Sequence, residues 1–83
     1  MQNLDKKAAR LNDQIVEHRR SANRLRRQAA LMCAAAKGFN TADQRTKAML
    51  ICNELHNEAN DENRKADKLL IEYLNETEKA ITD

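Results

Sequence analysis

Small and apolar residues recur along the first half of the chain at alternating spacings of four and three positions. The series runs from Leu4 to Ala36, and His18 is its one strongly polar member. Such a heptad repeat predicts one long α-helix whose apolar stripe packs against another helix. We call this stripe the seam; in the first helix it comprises Leu4, Ala8, Leu11, Ile15, His18, Ala22, Leu25, Ala29, Met32 and Ala36.

The second half of the chain carries a seam of its own, interrupted by the carboxylates of Glu62 and Glu76. This seam comprises Ala48, Cys52, Leu55, Ala59, Glu62, Ala66, Leu69, Tyr73, Glu76 and Ala80. Residues 57–63 are rich in asparagine and aspartate, which are poor helix formers. A continuous second helix is therefore expected, with a three-helix bundle broken near 57–63 as the alternative.

The connection between the helices is predicted at residues 38–41. Gly38 is the only glycine and the chain has no proline, so we expect Gly38 at positive φ to end the first helix. Phe39 completes the turn, and Asn40 or Thr41 is the expected N-cap of the second helix, with Thr41 and Gln44 fitting a capping box. The sequence thus predicts an all-α, single-domain antiparallel hairpin over 1–83, with helices over about 3–37 and about 41–82.

Folding the chain back at this turn pairs the two seams so that the numbers of facing residues add up to 80 or 81. This register places His18 opposite Glu62, which predicts a polar layer that fixes helix register. The alternative interpretation is an acid/base or metal role, but the Glu-x-x-His repeat of di-iron bundles is absent. No catalytic, cofactor or metal site, no small-molecule substrate and no enzymatic activity are expected.

Several apolar residues lie outside the seam and form clusters near the turn and near the free ends. Clusters of this kind predict an interface, either a homodimer that completes a four-helix bundle or a surface for another protein. The candidate interface residues are Val16, Leu31, Met49, Ile51, Leu70, Ile71, Leu74 and Ile81.

Charge divides the chain, because residues 1–40 carry a net charge of +6 and residues 41–83 carry −4. Helical spacing places Arg19 opposite Asn63, Arg26 opposite His56 and Lys7 opposite Glu72, so the arginines are expected to be free for a partner. The candidate face for nucleic acid or an acidic partner comprises Arg19, Arg20, Arg24, Arg26 and Arg27. The leading hypothesis is a non-enzymatic protein–protein interaction module (a small adaptor, chaperone-like subunit or regulator). The alternative is a small dimeric RNA- or DNA-binding regulator.

The two cysteines, Cys33 and Cys52, are offset along the hairpin because their numbers add up to 85. They are therefore expected to remain unbonded, as small buried residues in a reducing compartment. The chain begins at Met1 and has no apolar run of signal-peptide or membrane length. A cytoplasmic protein without membrane association is the expectation.

Overall fold

A computed structural model describes the backbone of residues 2–82 and the side chains of residues 6–79 and 81. Helix α1 spans Gln2–Ala36 and helix α2 spans Ala42–Thr82. The two helices pack against each other along their length and form a rod of 64 × 14 × 12 Å. Helix α2 continues without interruption through residues 57–63, so the chain does not adopt the alternative three-helix arrangement.

The core of the hairpin is the pair of seams. Each side chain that the structure describes as buried is a seam residue: Leu11, Ile15, Ala22, Ala29, Ala36, Ala48, Cys52, Ala59 and Ala66. Most of them are alanines, and such small side chains allow two helix backbones to approach closely. The side chains of Leu4 and Ala80, the outermost predicted seam residues, lie outside the described residues.

The predicted register is confirmed at several points along the rod. Nδ1 of His18 lies 2.5 Å from Oε2 of Glu62. Nearer the turn, Sγ of Cys52 lies 3.3 Å from the carbonyl oxygen of Ala29. Towards the free ends, Ala8 and Tyr73 line the same shallow cavity. The helices therefore remain in one register from the turn to the last described layers.

The turn ends α1 in a different way from the one predicted, because Gly38 does not adopt positive φ. The amide of Gly38 donates to the carbonyl of Ala35 at 3.0 Å, and the amide of Phe39 donates to that of Ala36 at 3.2 Å. These i to i−3 bonds tighten the last turn of the helix and satisfy its final carbonyls without a left-handed residue. A Cβ added to Gly38 would make only an ordinary contact, at 3.5 Å from the carbonyl oxygen of Ala35.

The start of α2 is capped as predicted. The amide of Gln44 donates to Oγ1 of Thr41 at 3.2 Å, which is the bond that an N-cap threonine supplies. Arg45 adds a second tie, because its Nη1 donates to the carbonyl of Phe39 at 3.0 Å. The turn is therefore held from both sides of its bend.

Cys33 and Cys52 form a disulfide, so the prediction that they remain unbonded is wrong. Their Cα atoms are 6.0 Å apart, well inside the range for a disulfide. The reason is the direction of helical side chains, which lean towards the N-terminus of their own helix. In this hairpin the side chain of Cys33 leans away from the turn and that of Cys52 leans towards it. Because their numbers add up to 85 and those of facing residues to 80 or 81, Cys52 lies farther from the turn than the residue opposite Cys33. The two leans therefore bring the sulfur atoms together.

Candidate interaction surfaces

Helical side chains lean towards the N-terminus of their helix, and this lean also shifts the polar contacts that flank the seam. Nζ of Lys7 pairs with Oε1 of Glu76 at 3.0 Å, so the predicted partner Glu72 is wrong. Arg19 does donate to Oδ1 of Asn63, at 3.2 Å, as predicted. It also forms an ion pair with Asp67 at 2.9 Å, which the register argument missed. Arg19 is therefore not free for a partner.

The polar layer inside the seam is built from His18 and Glu62. Their side chains are 31% and 23% exposed, and Nδ1 of His18 donates to Oε2 of Glu62. The hydrogen bond from His18 lowers the pKa of Glu62 below its ordinary value, and nearby Lys65 adds to this effect, while burial opposes it. Nζ of Lys65 lies 3.5 Å from the other carboxylate oxygen. Both oxygens of this partly buried carboxylate thus face a hydrogen-bond donor.

One long side of the hairpin carries few charges, and we call it the low-charge side. It is marked by the disulfide and by the bond between Arg19 and Asn63, and helical spacing extends it in both directions. Its Lys, Arg, Asp and Glu residues among those described are Arg19, Arg26 and Asp67. The low-charge side comprises Ala9, Asn12, Val16, Arg19, Asn23, Arg26, Ala30 and Cys33 of α1, and Met49, Asn53, His56, Asn60, Asn63, Asp67, Leu70, Leu74, Thr77 and Ile81 of α2.

An apolar groove runs along the opposite side of the hairpin next to the turn. The part nearest the turn is a shallow cavity of about 290 Å³ lined by Met32, Phe39, Gln44, Lys47, Ala48 and Ile51. The part farther from the turn, of about 480 Å³, is lined by Gln28, Leu31, Met32, Ala35 and Leu55. The two parts share Met32 and form one groove. It opens because the small side chains of Ala35 and Ala48 leave the flanks of Met32 and Leu55 uncovered.

A cluster of three arginines adjoins this groove along α1. Arg20, Arg24 and Arg27 line a cavity together with Gln28 and Leu31, and these last two residues also line the groove. Within the part of the chain that the structure describes, the three guanidinium groups form no hydrogen bond or ion pair with another side chain. Arg26 has none either, but it lies on the low-charge side, away from the cluster.

The eight candidate interface residues from the sequence separate into groups. Val16, Met49, Leu70, Leu74 and Ile81 lie on the low-charge side. Leu31 and Ile51 lie in the groove, and Ile71 occupies the outer surface of α2, where 60% of it is exposed. The heptad spacing places Met32 and Leu55 in the seam and does not predict that they also line a groove. The signal was present in Ala35 and Ala48, whose small size beside larger seam residues leaves apolar surface open.

Comparison of the chain with protein-family models, with curated proteins and with solved structures finds no match. Among the described residues, neither helix contains an apolar stretch long enough to cross a membrane. The same residues bring together no group of three or more potential metal ligands from His, Cys, Asp or Glu side chains.

Proposed function

We propose that this chain is a non-enzymatic protein–protein interaction module that works as a homodimer, with two hairpins joined through their low-charge sides into a four-helix bundle. The observation that carries the proposal is that one long side of the hairpin has far fewer charged residues than the opposite side. Interface centres are depleted in charged residues, and the low-charge side has that composition. Its exposed apolar residues, Leu70 and Leu74 among them, are the surface that dimerisation would bury.

The surface area of the hairpin supports association. The chain exposes 6503 Å². A compact monomer of the same mass is expected to expose about 5,000 Å². The excess arises because a two-helix rod has no third layer to cover its flanks. A standard protein–protein interface buries about 800 Å² on each partner, which is less than this excess.

The residue pattern of the low-charge side fits a two-fold axis. In a symmetric dimer each contact occurs twice, so a patch at one end must complement a patch at the other. Leu70 and Leu74 lie towards the free ends, whereas Met49 and Ala30 lie next to the turn. In an antiparallel pair of hairpins, Leu70 and Leu74 of each copy therefore lie against Met49 and Ala30 of the other copy. The asparagine row, which includes Asn53 and Asn60, meets its symmetry mate near the centre.

The test is the molecular mass in solution, measured by light scattering after size-exclusion chromatography. Wild type is expected to elute at twice the mass of the chain, and Leu70→Glu with Leu74→Glu is expected to elute as a monomer. Ile71→Glu is the control, because it replaces a neighbouring exposed apolar residue off the proposed interface with the same charged side chain. Circular dichroism verifies that each variant remains helical. A monomeric wild type, or a control that dissociates as readily as the double variant, contradicts the proposal.

We also propose the cytoplasmic location expected from the sequence, and the disulfide is the observation against it. Disulfides form and persist in oxidising compartments and are rare in the cytosol. Alkylating the protein at the moment of cell lysis records the state of Cys33 and Cys52 before air oxidation. Free thiols in that measurement support the cytoplasm, and a protected disulfide supports an oxidising compartment.

A further inference from the structure

The groove and the arginine cluster form one continuous surface on the side of the hairpin opposite the low-charge side. Gln28 and Leu31 line both, so the cationic and apolar parts are contiguous. Leu31 is 73% exposed, which is unusual for a leucine with no partner. Because this surface lies away from the proposed dimer contact, dimerisation leaves it uncovered.

We propose that this surface docks an amphipathic helix from a different protein, with apolar residues towards the groove and a row of carboxylates towards Arg20, Arg24 and Arg27. Groove recognition of this kind uses anchors at helical spacing along one face of the bound helix. The surface from Arg20 to Ala36 is about 24 Å long, which matches a helix of about 16 residues. The inference rests on the proposed role as an interaction module but not on the dimer.

The charge of the partner follows from the arginines. Three guanidinium groups at helical spacing, without a partner side chain in the described structure, create a positive rim along one edge of the groove. Arginine is suited to such a rim because its planar fork binds a carboxylate in a bidentate manner. Complementary charge along one edge also fixes the orientation of the bound helix.

A protein helix suits this surface better than a nucleic acid. Helical spacing places Glu17 on the same face of α1 as Arg20 and Arg24. On α2 it places Glu54 and Glu58 one helical turn beyond the groove residues Ile51 and Leu55, while Lys47 lines the end of the groove near the turn. These carboxylates repel a polyphosphate backbone. A partner helix, in contrast, can place its carboxylates next to the arginines of α1 and keep them away from α2. The floor of the groove, formed by Met32, Ala35 and Leu55, is apolar and offers no flat aromatic ring on which a base could stack.

A second copy of this chain is also a poorer fit. Its acidic α2 carries exposed apolar residues, Leu74 and Ile81, but they lie on the low-charge side, opposite the groove. A contact between the groove of one copy and Leu74 and Ile81 of the next would therefore be head-to-tail and would extend into an open chain of molecules. A separate partner avoids that outcome.

The proposal is tested with a synthetic helical peptide of about 18 residues, with leucines at helical spacing and glutamates along one edge. Two further probes are its charge-reversed version with lysines and a short RNA duplex. Each is labelled, and its binding to the full-length protein is followed by fluorescence anisotropy over a range of salt concentrations. The protein variants are Arg24→Glu and Leu31→Glu, and Arg26→Glu is the matched control on the other side of the same helix.

The acidic peptide is expected to bind, and the lysine peptide is not. Arg24→Glu is expected to weaken binding by roughly fivefold and to reduce its salt dependence, since an exposed charge pair contributes about 1 kcal/mol. Leu31→Glu is expected to weaken it by tenfold or more, and Arg26→Glu by less than twofold.

The variant Leu70→Glu with Leu74→Glu is expected to bind the acidic peptide as wild type does, so a failure of the proposed dimer and a failure of the proposed groove give different results. Equal binding of both peptides, no binding of the acidic peptide, or tighter binding of RNA with the same loss in Arg24→Glu overturns the proposal.

Discussion

His18 and Glu62 are polar residues that face each other within an otherwise small and apolar stretch of the seam. Their hydrogen bond, supported by Lys65, keeps the carboxylate ionised by lowering its pKa. We propose that this layer fixes the register of the hairpin, because any slip would place an unpaired charge against alanine. Its value to the fold therefore depends on the protonation state of one side chain.

The first prediction concerns acid. A carboxyl whose pKa is lowered on folding stabilises the native state above its unfolded pKa, near 4.5, and this contribution is lost as pH falls through the lowered folded value. The stability difference between wild type and Glu62→Gln should therefore be largest near neutral pH and shrink below about pH 4.5. Urea unfolding at a series of pH values measures it. Glu58→Gln, at an exposed carboxylate, serves as the control, and a difference that grows in acid would contradict the assignment.

Two residues of the turn give a second prediction. Gly38 has an ordinary φ and room for a Cβ, so Gly38→Ala should raise stability by about 0.5 kcal/mol by restricting the unfolded chain. Thr41 caps α2 through its hydroxyl, so Thr41→Ala should lower stability by about 1 kcal/mol. Thr46→Ala, within the helix and close by, is the control for the threonine. A destabilised Gly38→Ala variant would show that the turn needs a glycine after all.

At the scale of elements, the disulfide joins α1 to α2 near the turn. It closes a loop between residues 19 positions apart. It ties the flank of α1, at Cys33, to the buried seam of α2, at Cys52. The covalent link therefore adds to the turn in holding this end of the hairpin together.

The third prediction follows from that link. Replacing both cysteines with alanine should lower the free energy of unfolding by about 3 kcal/mol, because the unfolded chain regains the freedom of the open loop. Alanine suits the buried position, since other layers of the seam already use it. Reducing agent should destabilise wild type by a similar amount and leave the variant unchanged. If wild type is equally stable with and without reductant, the disulfide contributes nothing to the fold.

The whole molecule is a thin rod and not a globule. Its radius of gyration, calculated from Cα atoms, is 18.7 Å. A compact chain of this length would have about 12 Å. A rod this thin exposes both flanks of its seam, so one flank is open to a second copy and the other to a partner helix.

The fourth prediction concerns the arrangement of the dimer. Two rods packed side by side, about 10 Å apart, should have a radius of gyration of about 20 Å, because the added width is small compared with the length. Small-angle X-ray scattering on the dimeric fraction measures this value. A radius close to twice that of the single hairpin would indicate an end-to-end assembly and would contradict packing through the low-charge sides.

The hairpin follows from local features of the amino-acid sequence. The heptad spacing defined both seams, the single break in helical pattern located the turn, and the register followed by counting from it. These features could be predicted because they depend on local periodicity and on the position of one turn. The same counting places His18 opposite Glu62, as the structure confirms.

Which side chains meet beyond the seam depends on how the two helices pack in three dimensions. Counting treats each residue as a point on its helix axis, whereas real side chains lean towards the N-terminus of their helix. That lean joins Cys33 to Cys52, moves Lys7 to Glu76 and brings Asp67 to Arg19. The groove likewise depends on the space left between the helices beside Ala35 and Ala48. The spacing of residues along a helix is encoded locally, but the gaps between two helices arise only when they pack.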